Sequence, residues 1–572
     1  MSRALFGILT ATAAANVTAV LLGILCSGLG PVTAWISLIA GLGAGGVTVW
    51  QTSGSAPPSA RPSRTEWFVI IAFVLACLRA FLWLIYQKNG RWFVLSPYNL
   101  GDLSLHLGLI NYLASGVPFW PDSLILIGDT LRYPIGADLF NSLLLLAGLP
   151  AVQGLVLVGF TGAIITGCAL WLWGRGFAIA ALLFSGGLAA FLLLGGENGW
   201  KPQDFQAAAE WPWKNFFLTM LITQRGLLFA LPTGLLLLAD WRARWLTKTP
   251  TAALPTWAAV LLYATMPLTN VHTFLFLSFV LLGIYLLAPL TTDRQATRKF
   301  VVISVLPATV TLALVTGLFS AGGGVHWQPG WLQDEEPVWF WIRNFGLVPF
   351  LWIATLLVAV VRRDRRALAI LAPATAFFLV CCFVSFAPWP WDNVKLMLWC
   401  WLAAVPFVWQ FILRPLPLIA RAPILFVLFF SGAISLLGGL DGRHGYSLIP
   451  RADLDRAASA LRQLPPTARV AVSPDYNHPV LIAGQPVVTG YEGHLWSHGL
   501  DYRDKSDALD DLMNKRRGWR EQAKSLGVDY LYWGKPERQA YGYNQSKWRS
   551  DLPIVVQGEG FTIYDLREPA QE

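Results

Sequence analysis

Long apolar stretches separated by short polar turns run through most of this chain, and nothing constrains its fold more. Thirteen stretches can be marked, at 4–26, 31–50, 67–87, 152–173, 177–195, 223–239, 254–267, 272–290, 300–320, 340–361, 368–387, 394–412 and 423–440. Most have the roughly 17–25 residues that a helix needs to cross a bilayer. Lipid offers backbone groups no hydrogen bonds, so segments of this kind must become helices. Of the 572 residues only 13% are charged, against about 25% in soluble domains. The expectation is a polytopic α-helical membrane protein with about thirteen transmembrane helices. The 28 tryptophans suit a molecule with two lipid–water interfaces.

The formal net charge is +9, but its distribution argues against nucleic acid as a partner. Arg and Lys fall in short turns such as "DWRARWLTK", "TTDRQATRK", "VRRDRR" and "LRPLPLIAR". That pattern reports topology, because basic turns stay in the cytoplasm. The turns holding Arg3, Arg61 and Arg64, Arg175, Arg242, Arg244 and Lys248, Arg294, Arg298 and Lys299, Arg362 to Arg366, and Arg414 and Arg421 are then all cytoplasmic. This parity requires that Pro134–Gly148 be a half-membrane or juxtamembrane helix. The N-terminus reads as a retained signal anchor and lies in the cytoplasm, in a cell inner (plasma) membrane. The six cysteines all fall in apolar segments, without metal-site spacing, and read as small core residues.

The segments left outside gather the acids, histidines and polar tryptophan-rich loops: 99–140, 196–221, 267–271, 321–339, 388–393 and everything after Leu440. From residue 441 the composition changes. "RADLDRAASALRQL", "DKSDALDDLMNKRR" and "GWREQAKSLG" read as helices, and "RVAVSP", "PVVTGY", "VDYLYWG", "PIVVQGEG" and "FTIYDL" as strands. Three regions follow: two extra N-terminal spans with a linker (1–66), a transmembrane domain (67–440) with a first outer loop at 88–151, and an extracytoplasmic α/β domain (441–572).

Candidate site residues lie on that outer side. In "GDLSLH", Asp102 and His106 are four apart and share a helix face, with Asn99 and Gly101 marking the helix start. Asp102 either stabilises a helix N-terminus or does chemistry, and ionisable groups near membrane depth are functional by default. In "IGDTLRYP", Asp129 and Arg132 either meet a substrate or pin the loop as an ion pair, and Tyr133 could stack on a sugar. Gln224 and Arg225 open a span from the outside, where an Arg is disfavoured and either snorkels or holds a phosphate. His272 and Asn270 lie at an outer helix turn, as interface residues or site residues. In "PWPWDNVKLMLW", Asp392, Asn393 and Lys395 open another span from outside and form a candidate anion and polyol binder. In "GYEGHLWSHGLDY", His494 and His498 are spaced for zinc, but Gly493 and Gly499 argue against a single helix, leaving acceptor recognition or loop packing.

The strings "GDLSLH", "YPIGADLF", "ITQRGLLFALP", "PLTNVHTF" and "PWPWDNVKLMLW", with a large first outer loop and a terminal outer domain, resemble the GT-C superfamily of multi-spanning glycosyltransferases. They are also similar to a bacterial family of membrane proteins with that architecture. The resemblance covers the chain after about Trp67. It implies a sugar transferase that uses a polyprenyl-phosphate-linked donor and a glycan, lipid or protein acceptor at the outer face of the lipid bilayer. Asp102 takes the place of the first-loop acid, which acts as general base or helps bind a divalent metal, Mg or Mn. Many relatives carry two adjacent acids, whereas Gly101 precedes Asp102 here, so the second carboxylate is Asp129, Asp392 or absent. No WWDYG-type string is present, which argues against peptide N-glycosylation. The rival readings are a transporter or flippase of lipid-linked sugars, which should show internal repeats, and a non-catalytic assembly protein.

Overall fold

The computed structural model describes residues 2–52, 61–95, 98, 102–196, 199–247, 254–288, 294–317, 324–333, 336–544 and 546–567. Asn99, Gly101 and Lys248 lie outside the described residues. Two antiparallel helices come first, α1 (Ser2–Leu25) and α2 (Pro31–Gln51). They touch closely because Gly41 carries no Cβ; one added there would lie 2.5 Å from the Ala11 carbonyl oxygen on α1. Helix α3 (Arg64–Leu82) starts at a capping box, Glu66 N–H donating to Ser63 Oγ and Ser63 N–H to Glu66 Oε2.

The first outer loop then forms β1 (Ile85–Lys88), β2 (Arg91–Val94), α4 (Asp102–Leu113) and α5 (Gly136–Leu146). The 11-residue α5 is too short to span, as the charge parity requires. Helix α6 (Ala151–Leu183) breaks at Gly174 and Arg175, the basic turn expected between two spans. The stretch expected to span at 177–195 is not one helix: it stops at Leu183 and resumes only as the short α7 (Ala189–Leu193). The membrane region continues with α8 (Leu227–Trp245), α9 (Thr256–Ala264), α10 (Met266–Thr269), α11 (Val271–Leu287), α12 (Arg294–Val315), β3 (His326–Trp327), α13 (Pro337–Phe345), α14 (Val348–Val361), α15 (Arg365–Cys381), β4 (Val384–Ser385), α16 (Asn393–Val408) and α17 (Leu418–Gly439).

Among the described residues, seven helices are long and apolar enough to cross a membrane, or eight if the pair α13–α14, bent by 91°, is one span. The expected count of about thirteen is therefore not reached by length and composition. The difference lies in interior segments that are broken or short, such as Thr256–Thr269 and Val271–Leu287. Short helices tolerate this because neighbours cover their ends. Helix α16 is the central element, with most of its surface buried, whereas α2 and α12 are peripheral.

The C-terminal region contains β5 (Tyr446–Pro450), α18 (Arg451–Leu461), β6 (Val470–Ala471), α19 (Pro479–Ile482), α20 (Glu492–Ser497), α21 (Arg503–Met513), α22 (Trp519–Leu526), β7 (Tyr530–Trp533), α23 (Lys535–Tyr541), β8 (Ile554–Gly558) and β9 (Phe561–Asp565). Its four-stranded sheet has the order β6-β7-β9-β8, with β6 and β7 parallel and the other pairs antiparallel. "PVVTGY" forms only isolated bridges, Val487 with Val470 and Thr489 with Leu126, instead of a strand. The first outer loop is stitched into this region. Strand β5 pairs with β2, Ile127 N–H donates to the Val488 carbonyl, and Ile127 packs into the core around Leu531 and Trp548.

Candidate active site

Five helix N-termini and one segment of the C-terminal region converge. Asp102 opens α4, whose approach to the C-terminal region depends on Gly108: a Cβ there would lie 2.5 Å from the Leu481 carbonyl oxygen. Asn111 on the next turn donates to the Ile482 carbonyl at 2.8 Å. This docking places His494 Nε2 3.7 Å from Asp102 Oδ1, too far for a hydrogen bond but within strong electrostatic reach. His494 lies on α20, so a short helix does form at 492–497 despite Gly493. Burial pushes the Asp102 carboxyl up, but His494, with His106 and Lys395, more than offsets this and holds it below the usual carboxylate range.

His106 shares the α4 face with Asp102, yet its hydrogen bond goes elsewhere. Its Nδ1–H donates to Asp138, with contacts of 2.9 and 3.0 Å to the two carboxylate oxygens. Asp138 is in the first turn of α5 and both side chains are buried. A carboxylate on Nδ1 fixes the tautomer and leaves Nε2 as the nitrogen without a proton. Tyr133 sits between the two groups of histidines, with ring centroids 5.9 Å from His106 and 5.0 Å from His498. Burial, together with the charges of Asp138, Asp102 and Asp392, keeps its phenol protonated. The His498 imidazole is pushed down to about 3 by burial and by His494, and stays neutral near pH 7.

Arg225 precedes α8 and is 2% exposed. Its Nη2 donates to the Ile222 carbonyl at 2.6 Å, while Nε and Nη1 are buried without a hydrogen-bond partner among the described residues. Its guanidinium lies 5.9 Å from the Phe81 ring and within electrostatic reach of Asp138 and Asp102. Gln224, half-buried, precedes it. Lys395 on α16 forms an ion pair of 3.1 Å with Asp392, and both act electrostatically on His272 at the start of α11.

The structure thus brings together Asp102, His106, Tyr133, Arg225, His272, Asp392 and Lys395 with His494 and His498, and adds Asp138. Four expected site residues are occupied otherwise. Asn393 donates to the Cys381 and Val384 carbonyls and accepts from Phe386 N–H, so its amide closes the turn between α15 and α16. Asp129 and Arg132 pair with each other at 2.7 Å, and Asp129 also accepts from Thr130 N–H, pinning their own loop. Asn270 caps α11 through Thr273 N–H.

A divalent cation such as Mg or Mn needs several oxygen ligands together. Among the described residues no three His, Cys, Asp or Glu side chains form such a group. Asp102, Asp138 and Asp392 each already face a histidine or lysine. This donor set does not fit the expected metal.

The opposite end of the bundle collects the basic turns. Arg175 pairs with Glu66 at 2.8 Å, and Arg242, Arg362 and Arg421 lie over Phe407, Phe411 and Trp409 at the C-terminal end of α16 and the turn after it. Asp392 and Lys395 are at the other end of the same helix. A cavity of about 1420 Å³ runs between α3 and α17, is walled by apolar side chains such as Leu75, Phe429 and Leu436, and has Arg79 among its lining.

No family model and no curated protein matches the sequence. Among solved structures, the archaeal oligosaccharyltransferase AglB from Archaeoglobus fulgidus, in complex with an inhibitory peptide and a dolichol-phosphate, superposes with a TM-score of 0.46 at 12% identity, over 82% of this chain and 69% of that one. An Archaeoglobus fulgidus oligosaccharyltransferase in complex with Zn and sulfate gives 0.47 at 13%, over 81% and 67%. ArnT from Cupriavidus metallidurans in the apo state gives 0.41 at 14%, over 88% and 98%.

Proposed function

We propose that this protein is a GT-C-type glycosyltransferase that moves a sugar from a polyprenyl-phosphate-linked donor to an acceptor at the outer face of the cell inner membrane. The observation that carries this reading is Arg225: a buried guanidinium with two unmet donors beside a cluster of acids and histidines. Leaving a buried charge unpaired is costly, and a phosphate would satisfy it through paired N–H···O contacts. The apolar groove along α3 supports a lipid-linked donor. Its lining includes Leu75, Ala76 and Arg79, and Phe81, two residues past Arg79 on α3 and outside that lining, has its ring 5.9 Å from the Arg225 guanidinium.

In this mechanism the Asp102 carboxylate takes the proton of the acceptor hydroxyl, and that oxygen attacks the anomeric carbon of the donor. The bond from the anomeric carbon to the phosphate oxygen breaks. The polyprenyl phosphate leaves with the negative charge, which Arg225 and then Lys395 stabilise. His494 keeps Asp102 ionised, and Asp138 orients His106 towards the sugar. Gln224, Asp392, His272 and Tyr133 complete the walls. Residues 67–440 form the donor-binding membrane domain and 441–572 an extracytoplasmic domain, with the N-terminus in the cytoplasm. A glycan, lipid or protein acceptor then arrives from outside. The orientation is tested by Ser497→Cys and Thr247→Cys in intact cells. An impermeant thiol reagent should label residue 497 only; labelling of 247 alone would reverse the topology and remove the outer-face reading.

A further inference from the structure

Outside the cluster, the C-terminal region holds a polar cleft of about 630 Å³, within the range of small-molecule pockets, roughly 300–1,000 Å³. Its floor is Tyr532 stacked on Phe561, with ring centroids 5.0 Å apart. Its wall carries Tyr476, whose ring meets Tyr491 at 5.1 Å. The loop bearing Tyr476 is held firmly on both sides. On one side Asn477 Oδ1 accepts from Ser104 Oγ at 2.6 Å, and Ser104 is two residues beyond Asp102. On the other, His478 contacts Glu537 at 2.8 Å, both fully buried, and Glu537 also accepts from Ser473 and Gly534 N–H.

The cleft leads to the cluster. Tyr491 lines it, and the same ring stands edge-on to His494, 5.4 Å away, which faces Asp102. Tyr446, whose Oη is buried without a partner among the described residues, is within electrostatic reach of both Asp102 and Tyr476. The rim mixes signs. Arg456 pairs with Asp453 and Glu559, and Lys535, Arg538 and Asp475 also line the cleft. A rim of that kind does not favour a polyanion. Aromatic faces bordered by both donors and acceptors match a pyranose, which has an apolar C–H face and a girdle of hydroxyls.

We propose that this cleft, walled by Tyr476 and Tyr491 over Tyr532, binds the saccharide part of the acceptor and delivers its hydroxyl towards Asp102. The inference rests on the transferase reading for its second clause only. The test is saturation-transfer NMR on the full chain in nanodiscs with maltotetraose, chitotetraose and mannotetraose. At least one should bind. Tyr476→Ala should weaken that binding about three- to tenfold, the range for one aromatic contact, and Tyr476→Phe should restore it. Absence of binding by all three, or equal binding by Tyr476→Ala, overturns the proposal, as does binding of an uncharged hexapeptide in their place. If a saccharide binds as described but no sugar is transferred to it from a lipid-linked donor, the transferase reading fails and the cleft assignment stands.

Discussion

The two ends of α8 carry arginines in opposite circumstances. Arg244, in the last turn, sits where the helix dipole favours a cation. It donates to Asp240, to the Leu254 carbonyl and to Thr256 Oγ1. Arg225, at the other end, faces the positive pole of the same dipole, is buried, and among the described residues has a single hydrogen-bond partner in the Ile222 carbonyl, with Nε and Nη1 unmet. A cation that is satisfied where it sits reports topology and stability. A cation held where the fold leaves it unsatisfied is available to a ligand. The same contrast runs through the whole bundle, with paired or ring-stacked arginines at one end and an ionisable cluster at the other.

The contrast is broken most directly at Asp102. If the cluster end is catalytic, Asp102→Asn should lower the transfer rate by about 10²–10⁴, the usual loss for a general base, with little change in donor binding. Transfer from a lipid-linked sugar in proteoliposomes measures it. Near-normal transfer by the folded variant would move the base to His106 Nε2, which Asp138 already orients.

The arginine pair gives the next largest effect. Arg225→Ala should weaken binding of a polyprenyl phosphate about ten- to a hundredfold, from the loss of a charge-assisted contact. Lys395→Ala should cost less, because Lys395 is shared with Asp392. Arg244→Ala should leave donor affinity unchanged and instead lower stability by about 1–3 kcal/mol, since it removes the charged partner of the buried Asp240 carboxylate. Equal effects of Arg225→Ala and Arg244→Ala on donor affinity would erase the distinction between the two ends.

His494 sharpens the comparison through pH. Burial alone would raise the Asp102 carboxyl, and His494 is the first of the groups that pull it down. His494→Ala therefore leaves burial less opposed, so Asp102 protonates at higher pH. The acid limb of the pH–rate profile should move upward in pH, while the rate at alkaline pH, where Asp102 is ionised in both proteins, changes less. An unmoved acid limb would show that Asp102 does not set it.

Much of this site was legible because charges are scarce in the apolar segments: Asp102, Arg225, His272 and Lys395 each stand out in an apolar surrounding and do converge. Asp138 was hidden by a local rule. The i,i+4 spacing pairs His106 with Asp102, whereas the fold turns His106 towards a carboxylate 32 residues away. His494 and His498 were visible as a crowded loop, but their distance from Asp102 along the chain carries no local signal; only the docking of α4 against the Leu481 backbone reveals it. Asn393 misled for the converse reason. A polar residue beside Asp392 and Lys395 looks like a ligand group, but the backbone turn after α15 leaves donors and acceptors that its amide satisfies in full. The segments at 177–195 and 340–361 read as single spans by hydropathy, which does not register the breaks at residues 184–188 and between α13 and α14.

The smallest effect is expected at Asp129 and Arg132, and it separates residues that are polar by location from those that act. Their ion pair is closed within the loop: Asp129 accepts from Arg132 Nη2 and Thr130 N–H, and its own carbonyl accepts from Ser123 N–H. A partly exposed pair of this kind contributes about 1 kcal/mol or less. Asp129→Asn keeps the Thr130 contact and loses only charge, so the transfer rate should stay close to that of the unmodified protein while thermal stability drops slightly. The measurement is the same proteoliposome assay alongside a melting curve. A loss approaching that of Asp102→Asn would make Asp129 the second carboxylate of the reaction and would place the working end of the molecule partly in this loop, beyond the convergence of helix N-termini.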